Sequence, residues 1–231
     1  MPINTSIWKT YLPYFLPYVS FLGIKTAAES FPNGIFIGDI AAYSAAAVLI
    51  WIFRKEYQEL KGNKISLSDI FPALLIGFAG IVIWILPYHF IIGFAKTDSI
   101  FGLFGGSRKG IDLSLLGPGV RVPFFLFRFV GAVLVVPIFE ELFIRSFLWR
   151  YLINPDIKTV AVGEYTTFAF WGTAVLFALS HNEWIVAFVY AILLNSYLAR
   201  KKDIRLCMIA HGFSNAILIV YVCMSGNWFL W

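Results

Sequence analysis

Charge is what this 231-residue chain has least of: 18 Lys and Arg with 13 Asp and Glu make 13% of it, against 60% hydrophobic residues. A soluble domain carries about 25% charged side chains, so half the usual supply is missing and water is excluded as the chain's main solvent. Cysteine is scarcer still, at 2 residues. Cys207 and Cys223 lie about 24 Å apart along one helix, too far to bond with each other, so the redox compartment stays open. No His-Glu-x-x-His and no Cys/His cluster with zinc spacing occurs, which leaves no zinc signature. Gly-x-Ser-x-Gly, the serine nucleophile elbow, is absent too. The net charge of +5 forms no basic stripe interleaved with exposed aromatics on a polar domain, so nucleic acid is excluded as a partner.

What is there is apolar length. Seven segments have spanning character, at about 7–24, 35–53, 69–94, 123–151, 166–182, 184–199 and 205–224, the fifth and sixth being short against the roughly 20 residues a crossing helix needs. The fifth and sixth abut, so the chain turns at Asn182 and Glu183, inside the bilayer only if the turn is buried in protein or lines a wet cavity. Between 96 and 122, Gly102, Gly105, Gly106, Gly110, Gly117, Pro118 and Gly119 are too many breakers for a good span, although a short amphipathic or re-entrant piece there would raise the count to eight. The expectation is an all-α polytopic bundle of seven or eight transmembrane helices, one membrane-embedded domain over 1–231. The start reads as a retained first helix. With the N-terminus inside, eleven Lys and Arg fall in cytoplasmic parts and five outside; an excess on that side favours a cytoplasmic N-terminus. The 24 Phe and 8 Trp supply lipid contact and interfacial belts.

An ionisable residue deep in a span costs several kcal/mol and marks function by default. Three clusters qualify, on three spans: Glu140, Glu141 and Arg145 after Pro137; His181 in Phe177-Ala-Leu-Ser-His; and His211 with Asn215. At 100° per residue Glu141 and Arg145 share a face as an i, i+4 ion pair, while Glu140 points elsewhere and needs a partner on another helix. His211 and Asn215 share a face by the same rule. Counting about 1.5 Å per residue from the cytoplasmic ends puts Glu140, His181, His211 and Asn215 at depths of about 17, 22, 9 and 15 Å, so a common pocket is geometrically allowed. Pro137 removes a helix hydrogen bond just before the carboxylates and loosens the helix there. A carboxylate bonded with an imidazole takes a proton from water as it attacks a carbonyl, and a second imidazole with an amide stabilises the oxyanion. That is peptide hydrolysis without a covalent intermediate.

Glu140-Glu141-x-x-x-Arg145, Phe177-x-x-x-His181 and His211-x-x-x-Asn215, in that order on separate spans, resemble the CAAX protease and bacteriocin-processing family of membrane proteins over roughly 123–224. The resemblance implies a glutamic intramembrane protease related to the type II CAAX prenyl endopeptidases, without metal or cofactor. It implies that Glu140 is the water-activating base, that His181 positions the water, that His211 and Asn215 form the oxyanion hole, and that Glu141 and Arg145 are supports. The implied substrate is a membrane-anchored or lipidated peptide or protein. Pro137-Ile-Phe-Glu-Glu and His181-Asn182 further resemble a bacterial subgroup found alongside exosortase sorting systems, which implies a bacterial inner membrane.

Two other functions stay open at this point. A metal-dependent membrane protease also uses Glu and His, and resistance to strong chelators would exclude it. A scaffold or immunity protein could keep the fold without the chemistry. The remaining polar residues have blander readings. Asn195 is interhelical hydrogen-bond glue, Arg128 snorkels to the near interface, His89 is a satisfied buried histidine, and Asp39 and Asp69 form no aspartyl dyad. Glu183, two residues past His181, has no assigned role.

Overall fold

Pro13 and Pro17 lie inside the first helix, and each removes a donor from its hydrogen-bond ladder. The carbonyl facing Pro17 belongs to Pro13, four residues earlier, and the buried Tyr57 hydroxyl donates to it at 2.7 Å. The gap in one helix becomes the anchor for the loop that follows the second. The structure, a computed structural model, describes residues 5–31, 34–62, 64–94 and 113–230.

Among the described residues the fold has seven main helices: α1 (Thr5–Ala28), α2 (Gly34–Phe53), α3 (Leu67–Phe94), α4 (Pro118–Ile153), α5 (Thr167–Leu179), α6 (Trp184–Lys201) and α7 (Ile204–Ser225). No strand occurs among the described residues. The chain is an all-α integral membrane bundle. Four helices, α2, α3 over Leu67–Leu86, α4 and α7, are long and apolar enough to cross a bilayer. The other three expected spans are helices too, but α5 has only 13 residues, about 20 Å against a hydrocarbon core of about 30 Å. α6 ends on Arg200 and Lys201, and α1 carries Lys25 and its two prolines.

The fourth helix starts earlier than expected, at Pro118 rather than 123. Gly117 precedes it and Pro118 takes the first-turn position, where a missing N–H removes nothing. Most of the glycine-rich stretch, 95–112, and with it the suggested extra amphipathic piece, lies outside the described residues, as does the His89 side chain.

α1 and α2 form a hairpin, α3 packs on α6 and α7, α5 pairs with α6, and α4 touches α1, α2, α5 and α7. Helices approach closely in lipid where side chains are small. Ala174 and Ala178 of α5 and Ala187 and Ala191 of α6 are all buried, each pair one turn apart. Gly80 of α3 lies so close to the Tyr190 ring that a Cβ there would collide with it. Large apolar residues such as Trp51, Phe71, Phe78, Leu134 and Leu179 cover the outside.

Charges inside the bundle are paired across long sequence separations. Arg128 is buried and bonds Asp39, which also bonds Lys25; it does not snorkel, because a fully buried carboxylate stands beside it. At the other end Glu59 bonds Ser146, Arg150 and Tyr14, and Asp69 pairs with Lys201 at 3.0 Å. Asp39 and Asp69 thus belong to separate ion pairs. Lys202, in the left-handed region at φ 53°, caps α6 and lets the chain re-enter at once through Asp203, whose carboxylate accepts from the Arg205 backbone N–H at 3.0 Å.

Candidate active site

The central helix α4 is not regular where it carries the carboxylates. Gly131–Val135 and Leu142–Leu148 are π-helical, flanking the short α-helical piece Val136–Glu141. Such bulges occur mostly at functional sites. In the π register the Val136 N–H reaches back to the Gly131 carbonyl, so the next carbonyl, that of Ala132, would be answered by residue 137. Pro137 has no N–H. The Asn215 side chain of α7 answers it instead, Nδ2 donating to the Ala132 oxygen at 2.8 Å. Gly212, one turn before, lets α7 approach within contact of the Val133 carbonyl, where a Cβ would come to 2.6 Å.

These contacts bring the expected residues to one place. A cavity of about 620 Å3 between the helices is lined by Glu140, His181, His211 and Asn215 together. Glu141 and Arg145 stand behind them. Both are fully buried, and Arg145 Nη1 donates to the two Glu141 oxygens at 2.9 and 2.8 Å. Arg145 Nε donates to Asn195 Oδ1 at 3.1 Å, and Asn195 Nδ2 donates to the Phe170 carbonyl and to Thr173 Oγ1. The guanidinium also lies over the Phe177 ring, 4.9 Å from its centroid. The pair is thus locked to α5 and α6. Asn195 is interhelical glue whose particular load is the arginine.

His211 joins the two carboxylates. Its Nδ1 is 2.9 Å from Glu141 Oε1, and its Nε2 is 3.9 Å from Glu140 Oε2. The ring is held between aromatic edges, Phe177 and Tyr190, at centroid distances of 6.2 and 6.0 Å. Tyr190 OH meets Ser214 Oγ at 2.8 Å, and Ser214 donates to the His211 carbonyl. An ionised carboxylate only accepts, so Nδ1 carries the proton in the neutral ring.

Glu140 has the opposite setting. Its side chain is 14% exposed, where that of Glu141 is 0%, and its Oε2 has no hydrogen-bond partner among the described residues. One carboxylate is consumed by the scaffold, and the other faces the cavity. His181 lines the same cavity from the Ser180–Glu183 turn between α5 and α6. Its Nδ1 is 2.8 Å from the Phe177 carbonyl, which fixes the proton on that nitrogen in the neutral ring. Ser180, His181 and Asn182 all line the cavity, so the turn borders a cavity rather than packed apolar side chains.

Tyr190, Ser214, Thr173 and Trp84 were not singled out by sequence. Each is a common residue at an ordinary helical position, and only the closeness of another helix gives it a role. Among the described residues no group of three His, Cys, Asp or Glu side chains is placed to hold a metal ion.

Residues 122–217 match the family model of type II CAAX prenyl endopeptidase Rce1-like proteins. No curated protein and no solved structure matches. The matched segment is under half of the chain; it is similar to the type II CAAX prenyl endopeptidases and contains Glu140, His181, His211 and Asn215 of the cavity wall.

Proposed function

We propose that this protein is an intramembrane endopeptidase in which Glu140 activates water. The observation that carries the reading is the pair of groups facing each other across the cavity, Glu140 Oε2 without a partner and His211 Nε2 at 3.9 Å. A water bridging the two atoms at about 2.8 Å from each would subtend an angle of about 90°, a normal hydrogen-bonding arrangement. Glu140 takes the proton of that water as its oxygen attacks the carbonyl carbon of the peptide bond. The same proton then passes to the leaving amine, so the products are one carboxylic acid and one amine, with no bond to the enzyme at any stage. His181 holds the water from the turn between α5 and α6. His211 and Asn215 face the oxyanion, His211 donating through Nε2 when the ring is protonated. Glu141 and Arg145 orient His211.

The substrate is a membrane-anchored or lipidated peptide or protein. With the N-terminus on the cytoplasmic side, the Arg200–Arg205 turn is cytoplasmic, and the cavity wall that includes Lys25, Glu29 and Gly34 belongs to the opposite end of the bundle. Exported lipidated peptides of a bacterial inner membrane, the company implied by the resemblance to the exosortase-associated subgroup, are therefore the first to test. The test compares membrane proteomes of cells with the wild-type protein and with Glu140→Gln, a variant of the same shape. One or more substrates should keep an uncleaved terminus in the variant. A folded Glu140→Gln protein that leaves every terminus as in wild type refutes the proposal and favours a scaffold.

A further inference from the structure

Several donors that line the cavity are already engaged, Lys25 and Arg128 by Asp39 and Tyr190 and Ser214 by one another. Glu140 offers only acceptors, and both imidazoles bind inward through Nδ1, His181 at the Phe177 carbonyl and His211 at Glu141. In the neutral form each ring then carries a lone pair on Nε2, which accepts and does not donate. Asn215 already gives one amide hydrogen to Ala132. Hydrolysis needs the reverse at one point, because the carbonyl oxygen of the substrate gathers negative charge and must be met by donors placed before the reaction starts.

Trp84 supplies what is missing. It lies on α3, lines the same cavity, and its ring stands edge-on to His181, 5.9 Å between centroids at 75°. Its Nε1 is buried and has no hydrogen-bond partner among the described residues. A buried donor left unanswered is rare in a folded protein and calls for an explanation. The residue is held at this point by backbone packing: Gly80, one turn earlier, is pressed against Tyr190, and Gly77, two turns earlier, against the Ala210 backbone. An indole N–H is a donor only and stays so at every working pH.

Resting on the reading of Glu140 as the base, we propose that Trp84 is a further catalytic residue, its indole N–H donating to the carbonyl oxygen of the scissile peptide bond as it becomes an oxyanion. Removing one such donor elsewhere lowers kcat by about 10²–10³-fold. Because the bond strengthens in the transition state, the loss belongs in kcat rather than in KM.

The experiment measures kcat and KM of the purified full-length protein on a cleavable lipidated peptide, for wild type, Glu140→Gln, Trp84→Phe and a variant with benzothienylalanine at position 84, which keeps the indole shape and replaces N–H by sulfur. The expected result is an inactive Glu140→Gln and, for both position-84 variants, kcat down by about 10²–10³-fold with KM within about threefold. A benzothienylalanine protein with wild-type kcat beside an inactive Glu140→Gln overturns the role of Trp84 and leaves the base in place. A drop with Trp84→Phe alone is a packing effect and overturns it equally. An active Glu140→Gln overturns the base and, with it, the proposal for Trp84.

Discussion

Removing the positive charge behind the site separates what holds the bundle together from what performs the chemistry. Arg145 has no exposed surface, and its partner Glu141 has none either. Replacing Arg145 by Met keeps the length and apolar volume but leaves Glu141 as a buried carboxylate with only His211 to answer it. Breaking a buried pair from one side costs about 3–5 kcal/mol, mostly from the stranded charge. In the double variant Glu141→Leu/Arg145→Met no charge is stranded; the Asn195 oxygen is unanswered in both variants, and the cost particular to the double variant is the unanswered His211 Nδ1, about 1–3 kcal/mol. The double variant should therefore be more stable than Arg145→Met by about 2 kcal/mol, as read by reversible unfolding in mixed micelles. Turnover should not return with stability. His211 has lost the carboxylate on Nδ1, and in the serine-protease triad the corresponding loss lowers kcat about 10⁴-fold, so a deficit of at least about 100-fold is expected here. The reasoning fails if Arg145→Met costs under about 1 kcal/mol, which is the range of exposed pairs. It also fails if the double variant hydrolyses substrate at the wild-type rate.

Two further outcomes follow from the helix contacts. Gly212→Ala places a methyl group 2.6 Å from the Val133 carbonyl, where neither backbone can yield cheaply; α7 is pushed off α4, His211 leaves Glu140, and both unfolding stability and kcat should fall, whereas Ala at the open position Gly119 should leave both unchanged. Asp203, at the start of α7, is partly buried, which opposes its charge, but hydrogen bonds from the Arg205 guanidinium and backbone N–H outweigh this and hold its carboxyl below the ordinary range. A depressed value means that the stabilisation is present above the unfolded value of about 3.9 and is lost as pH falls through the folded one. Asp203→Ala should cost about 1 kcal/mol at pH 7, and the stabilities of the two proteins should converge as pH falls below the unfolded value; a gap that stays constant on acidification contradicts the assignment.

Some of the site was legible because it is local. Glu141 and Arg145 are four residues apart on one helix, and the 100° step between Glu140 and Glu141 sends one carboxylate to the arginine and the other away from it. Other parts were not legible because their partners are distant. Arg128 reads as a snorkelling side chain until Asp39, 89 positions earlier, is found beside it. Tyr57 reads as a loop aromatic until its hydroxyl meets the Pro13 carbonyl. Nor does apolar periodicity tell which face of a span looks inward, since lipid tails are as apolar as a protein core and both faces carry the same residues.

By itself the sequence determined the solvent, the helical class and the chemical inventory: too little charge for water, enough apolar length for a bundle, and two carboxylates, two imidazoles and an amide set on three spans. Only the tertiary structure decided how that inventory is divided. Pro137 in a π register opens the Ala132 carbonyl to Asn215, and Gly212 lets α7 close on α4. His211 then meets Glu141 at 2.9 Å and faces Glu140 at 3.9 Å. Hydrogen bonds require contact to within a few tenths of an ångström, and across separate helices that precision comes from packing, which no spacing within one helix can set.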